Sequence, residues 1–302
     1  MNPSPDLSRR HFIQTSALAA AALASSRVLA APAAPRWKII AFSKPFASYS
    51  PDDTADLVAD IGWDGIECPV RKQAGQIAPE RVEEDLPKMV AALKKRGKEV
   101  TIVTTEITKL DPLAEKILRT TAKLGIKQYR LGFSKYTAAK PVPETVREVG
   151  AALKDLAAFN RELGLQGGWQ NHSGADYVGG PLWDLWTIIK DLDPKSLGVC
   201  FDIAHATVEG GLSWPVQARL MEPHYAAVFL KDCYWEKGAK GWQPRWCPFG
   251  EGIVQKSFLT NLKKSKFAGP LCQHHEYKEL GTGREMVKYF KKDLATLREW
   301  LA

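Results

Sequence analysis

Short apolar runs bounded by turn-forming residues alternate along this chain with longer segments of helical period. The runs read as strands are Trp37–Ser43, Gly65–Val70, Val100–Ile107, Lys127–Phe133, Leu165–His172, Leu197–His205, Ala226–Asp232 and Leu271–Tyr277. Helical stretches such as Pro79–Arg96, Pro112–Leu124, Pro143–Leu163 and Leu182–Asp191 lie between them, and a last helix runs from Arg284 to Leu301. Pro79 and Pro143 suit a first helical turn, and Gly97, Gly125 and Gly164 stand where helices should stop.

Eight strand–helix units in about 270 residues predict an α/β protein with a single (β/α)8 barrel over residues 36–302. An open doubly wound sheet is the alternative. It is disfavoured by the count of eight and by the lack of a Gly-x-Gly-x-x-Gly turn after the first strand. Gly132 in Leu131-Gly132-Phe133 reads instead as a close-packing position. The longest irregular stretch, Cys233 to Gln255, holds Trp235, Trp242, Trp246 and the turn Pro248-Phe249-Gly250-Glu251-Gly252. It follows the seventh strand, on the face where barrel active sites are built, so a functional loop is expected.

The first 30 residues read differently. Arg9 and Arg10 precede His11-Phe12-Ile13 and an alanine-rich run, the pattern of a twin-arginine export signal cleaved after Ala30. The run is too short and too alanine-rich for a stable membrane anchor. The expected partners are therefore the twin-arginine export machinery and a small molecule in the periplasm or outside the cell. The net charge of +8 could suggest nucleic acid, but the lysines are scattered along helices with no dense basic arm, so the charge is read as solubility. Among five cysteines, Cys68, Cys200 and Cys272 fall in apolar runs and read as buried; Cys233 and Cys247 share one loop, where an oxidising compartment could join them.

Polar residues gather at the C-terminal ends of the late strands. Gln170 and His172 are two apart, as are His274 and Glu276, and each pair could face inward. Asp202 sits in an apolar strand with His205 three residues on, and Lys231-Asp232 closes the seventh strand. Singly, an Asp at a strand end caps the next helix and a lone His satisfies a core. Together, Asp202, His205 and Glu276 form an oxygen- and imidazole-rich set suited to Mn²⁺, Mg²⁺, Co²⁺ or Zn²⁺. Glu67, Arg71, Glu106, Arg130 and Lys231 also fall near strand ends, either as hydrogen-bonding partners for ligand hydroxyls, with general acid work for Glu106, or as an ion-paired rim. Trp169, Tyr234, Trp235, Trp242 and Trp246 could stack on a flat ligand ring, whereas Trp183 and Trp186 are expected to pack in a helix.

At these positions the sequence resembles the sugar phosphate isomerase/epimerase group of xylose isomerase-like barrels. The resemblance rests on Trp63-Asp64-Gly65-Ile66-Glu67, Phe201-Asp202-Ile203-Ala204-His205, Lys231-Asp232, Gly250-Glu251-Gly252 and His275-Glu276. It implies one divalent cation held by Glu, Asp, His and Glu on strands five to eight. Asp202 and Glu276 match; Gln170 replaces the first Glu and Phe229 the His. The implied metal set is thus Asp202, Glu276 and Gln170, with His274, His172 or His205 filling in. Two-base epimerisation loses one base to Gln170. What remains is single-base chemistry beside a carbonyl, with Glu276 or His205 moving the proton and Lys231 or the metal stabilising an enediolate; His172 and Trp246 would contact the substrate. The expected activity is sugar isomerisation on a free or oxidised sugar or glycoside, with a keto-sugar lyase, a non-catalytic sugar-binding barrel and, least fittingly, a repair nuclease as the competing readings.

Overall fold

The computed structural model describes residues 37–302 apart from Lys240, and residues 37–302 form one compact unit. The expected export signal and its cleavage position lie outside the described residues. No helix among those described is long and apolar enough to cross a membrane.

Eight parallel strands close into a barrel: β1 (Ile39–Phe42), β2 (Gly65–Pro69), β3 (Glu99–Thr104), β4 (Gln128–Arg130), β5 (Gln166–Gln170), β6 (Leu197–Asp202), β7 (Tyr225–Leu230) and β10 (Leu271–Gln273). Each of these pairs with its sequence neighbours, and β10 closes the ring between β7 and β1. Parallel strands buried on both faces read as apolar runs, which is why all eight were expected. Most ladders are shorter than those runs, because pairing stops where the chain turns into the loops of the C-terminal mouth. The sixth strand, for example, ends at Asp202 rather than His205.

The helices α1 (Pro51–Ile61), α2 (Val82–Lys95), α3 (Pro112–Lys123), α4 (Val142–Leu163), α5 (Trp183–Ile189), α6 (Ile203–Gly210), α7 (Trp214–Met221), α8 (Ser257–Lys264) and α9 (Val287–Leu301) follow the strands. One apolar layer lies between barrel and helices. A small inner cluster of Ile40, Phe42, Ile102, Cys200, Ala227, Phe229 and Cys272 fills the barrel itself. Gly132 is the close-packing position expected: a Cβ there would stand 2.6 Å from the Glu106 backbone.

One element departs from expectation. The stretch after β7 is not irregular. Residues Asp232–Gly238 (β8) and Gly241–Cys247 (β9) form an antiparallel hairpin that pairs without a break from Asp232↔Cys247 to Gly238↔Gly241. In that register Cys233 opposes Trp246, not Cys247, so the two thiols belong to opposite faces of the ribbon. All five cysteines are free and buried, and the bridge considered from sequence is absent.

Candidate active site

The mouth of the barrel carries a continuous chain of polar groups that runs from β2 to the end of β10. Its first half centres on Glu67, which is fully buried. The carboxylate faces Arg130 Nε at 2.9 Å and His274 Nε2 at 2.8 Å, and accepts from Thr104 Oγ1 and from Cys272 Sγ at 3.2 Å. Burial alone would raise its pKa, but the Arg130 charge and the His274 contact hold it down at about 2. Phe42 and Phe229 both pack against His274, with ring centroids 5.0 and 4.3 Å away, and Arg130 lies over both phenyl rings.

Arg130 Nη1 also donates to Gln170 Oε1, and Gln170 Nε2 donates to Asp202 Oδ2 at 2.9 Å. The glutamine thus links an arginine on one side to a carboxylate on the other, and both ends of its amide are used. Asp202 has two roles. Its Oδ1 accepts the His205 N–H at 3.1 Å and caps α6, the structural alternative weighed above. Its Oδ2 faces Lys231 Nζ at 3.4 Å. Asn171, not singled out from sequence, fixes the same residue by exchanging two hydrogen bonds with its backbone.

Lys231 is the centre of the second half. Its buried ammonium lies 2.7 Å from His205 Nε2 and 3.0 Å from Glu276 Oε2, with Trp246 4.4 Å away over its face. Burial would lower the lysine pKa, yet Asp202 and Glu276 outweigh it and keep the ammonium charged. Against the burial that would raise it, the Lys231 charge, aided by His274, holds the Glu276 carboxyl well below the ordinary range. His205 is held neutral by burial and by Lys231. It therefore accepts from Lys231 at Nε2, and its Nδ1–H donates to Ser173 Oγ at 2.7 Å. Glu276 differs from the other two carboxylates: its side chain is 22% exposed, whereas Asp202 and Glu67 are sealed.

The remaining expected residues fall around this centre. His172 stacks on His205 at 4.1 Å, and burial with the nearby Lys231 lowers its pKa to about 4. Its ring also meets those of Tyr177 and Phe133. Arg71 is half-buried over Phe42. Glu106 is exposed at the rim, where it accepts the Lys72 N–H at 3.0 Å, and is not part of the chain. Trp169 is core, its indole N–H bonded to Val178 O, so it cannot stack on a ligand. Trp183, expected to pack, is 52% exposed. Asp232 accepts four backbone N–H groups, from Cys233, Gly250, Gly252 and Val254, and ties the glycine turn to the hairpin base. A Cβ on Gly252 would stand 2.2 Å from Cys233 O, so only glycine fits that approach.

The divalent site implied by the resemblance does not fit these residues. Lys231 already places a positive charge between Asp202 and Glu276. Gln170 offers its oxygen to Arg130 and turns its N–H toward Asp202; Phe229 has no donor; His274 belongs to Glu67. Among the described residues, the His, Cys, Asp and Glu donors gathered within 4.8 Å of one another are those of Glu67, Cys272 and His274. That group is a candidate by spacing only, since Arg130 neutralises its carboxylate and burial with the adjacent Glu67 charge raises the Cys272 thiol.

Comparison with known proteins agrees with this architecture. The sequence family described as xylose isomerase-like TIM barrel matches residues 55–300. No curated protein matches the sequence. A 3-keto-D-glucoside 4-epimerase from E. coli superposes with a TM-score of 0.68 at 16% identity, over 87% of this chain and 99% of that one. The probable 3-DHS dehydratase of petrobactin synthesis from Bacillus anthracis gives 0.65 at 14%, over 86% and 98%. A xylose isomerase-like barrel from Mycobacterium smegmatis, solved with magnesium, gives 0.63 at 16%, over 88% and 98%. At such identities the likeness shows the fold.

Proposed function

We propose that this chain, which belongs to the xylose isomerase-like TIM barrel family, is a sugar isomerase that moves a proton at the carbon beside a carbonyl without a divalent ion. The observation that carries this reading is Lys231 held between Asp202 and Glu276, with Glu276 alone of the three carboxylates partly exposed. Glu276 is kept ionised by the lysine and so accepts the proton. Negative charge then develops on the carbonyl oxygen, where the ammonium of Lys231 opposes it in a water-poor setting. Gln170 cannot act as a second base, so the proton returns from Glu276 to the adjacent carbon or to the face it left. Aldose–ketose isomerisation satisfies this constraint: the carbon-bound proton moves to the former carbonyl carbon while the neighbouring hydroxyl proton passes to the former carbonyl oxygen. The same first step also starts β-elimination from a keto-sugar, a second reading favoured by the dehydratase neighbour.

The twin-arginine segment supports export, and with it a substrate that is a free or oxidised sugar or glycoside. Incubating the protein in D2O with a panel of free sugars and keto-glycosides, and following the proton beside the carbonyl by NMR, tests the reading. Exchange or isomerisation that is lost in Glu276→Gln with the fold intact is expected. Exchange that persists in that variant removes Glu276 as the base.

A further inference from the structure

Three tryptophans share one face of the hairpin. Residues directly opposite each other on an antiparallel ribbon project to the same side, and so do residues two apart on one strand. The pairs Cys233↔Trp246, Trp235↔Pro244 and Lys237↔Trp242 therefore form one face, and Tyr234↔Arg245 with Glu236↔Gln243 the other. The second face carries Tyr234 and exposed ion pairs from Arg245 to Glu236 and Glu279. The tryptophan face begins at the candidate centre, because Trp246 covers Lys231 Nζ at 4.4 Å and meets the His205 ring edge-on at 5.2 Å. From there it runs outward through Trp235, 44% exposed, to Trp242, 67% exposed. Four strand positions separate Trp246 from Trp242, a run of roughly 13 Å. That is longer than a single sugar ring needs.

Exposed indole rings aligned on one face mark a binding surface. Rigid aromatic anchors bind at little conformational cost, and this ribbon is further stiffened at its base by the four N–H bonds to Asp232. We infer that the Trp246–Trp235–Trp242 face is a carbohydrate platform that extends the candidate centre, and that the substrate is a glycoside or oligosaccharide of two or more rings. One ring meets Glu276 and Lys231, and the next rings stack along the tryptophans. This inference rests on the sugar-directed reading of the centre. It adds where the remainder of the substrate lies, and it accounts for the length of the hairpin.

Calorimetry with cellotetraose, xylotetraose, maltotetraose and laminaritetraose, each beside its own monosaccharide, tests it with the full chain. At least one tetrasaccharide is expected to bind about tenfold or more tightly than its monosaccharide. In the Trp235→Ala/Trp242→Ala double variant that advantage disappears, while the melting temperature holds because both rings are exposed. Equal affinity for every pair, or an advantage that survives the double variant, overturns the platform. So does a wild-type dimer in sedimentation that the double variant makes monomeric, since the face then belongs to a second copy. Binding is measured without turnover. Tetrasaccharide capture by a protein that shows no proton exchange keeps the platform and sinks the isomerase reading instead.

Discussion

Lys231 Nζ lies 3.0 Å from Glu276 Oε2 and 3.4 Å from Asp202 Oδ2, so one buried ammonium bridges two carboxylates at the barrel mouth. The bridge sets the acid limb of any Glu276-dependent reaction. With its pKa well below the usual value, Glu276 stays ionised and active into acid. Lys231→Met removes the charge responsible, and the acid limb of the proton-exchange rate should then move upward by a pH unit or more. The rate itself should fall by about 10² to 10⁴. Lys231→Arg, which keeps the charge, should hold the limb near its original place. An unmoved limb in Lys231→Met would show that the lysine does not govern Glu276.

Because the cation of this centre is a side chain, chelation should leave it intact. Dialysis against EDTA is expected to change neither the melting temperature nor the exchange rate, and elemental analysis should find far less than one equivalent of any divalent metal. Adding Mg²⁺, Mn²⁺ or Zn²⁺ should bring no stabilisation of the kind a ligand specific for the native state confers. One tightly held metal, with activity lost on its removal, would refute the lysine bridge as the electrostatic centre.

The Glu67–Arg130 pair makes a separate claim, about stability. Both side chains are buried, and Glu67→Gln would leave the guanidinium without its carboxylate. Breaking a buried pair from one side costs about 3–5 kcal/mol. Replacing both partners, in Glu67→Gln/Arg130→Met, should recover part of that loss. Urea unfolding of the wild type, the single variant and the double variant forms the cycle that measures it. A single variant as stable as the wild type would mean that the pair is not coupled.

Much of this arrangement was legible in the sequence, and the reasons differ by residue. The eight strands were readable because parallel barrel strands are buried on both faces. Spacing brought Asp202, Glu276, Lys231 and His205 to one mouth, and the structure places all four within one hydrogen-bonded group. Their pairing was not readable, because it depends on where Lys231 leaves β7 relative to Glu276 beyond β10. Nor could spacing show that Arg130 would claim the Gln170 oxygen or that His274 would turn to Glu67. The hairpin was missed for a local reason. Its second strand, Trp242-Gln243-Pro244-Arg245-Trp246, alternates with a two-residue period after Gly241, but the first, Tyr234-Trp235-Glu236-Lys237, pairs its aromatics and its charges side by side and shows no such period. Pro244 and the adjacent Pro248–Gly252 turn hid it.

A last pair outside the mouth gives the protein an opposed pH response. His275 and Asp293 lie 3.5 Å apart beneath Phe290, and the Tyr277 hydroxyl donates to Asp293 at 2.6 Å. Burial favours the neutral form of each, lowering His275 from 6.5 to about 3 and raising Asp293 from 3.8 to about 7. For His275 the unfolded chain binds the extra proton between pH 3 and 6.5, so stability rises with pH across that window. For Asp293 the folded chain keeps the extra proton between pH 3.8 and 7, so stability falls with pH there. Each slope approaches about 1.4 kcal/mol per pH unit, and where the windows overlap they offset. Asp293→Asn should therefore expose a stability that climbs from pH 4 to 6, and His275→Phe one that declines over the same range. Denaturant titrations at half-unit intervals would measure both. Parallel curves for the two variants would show that the groups are not held neutral by burial.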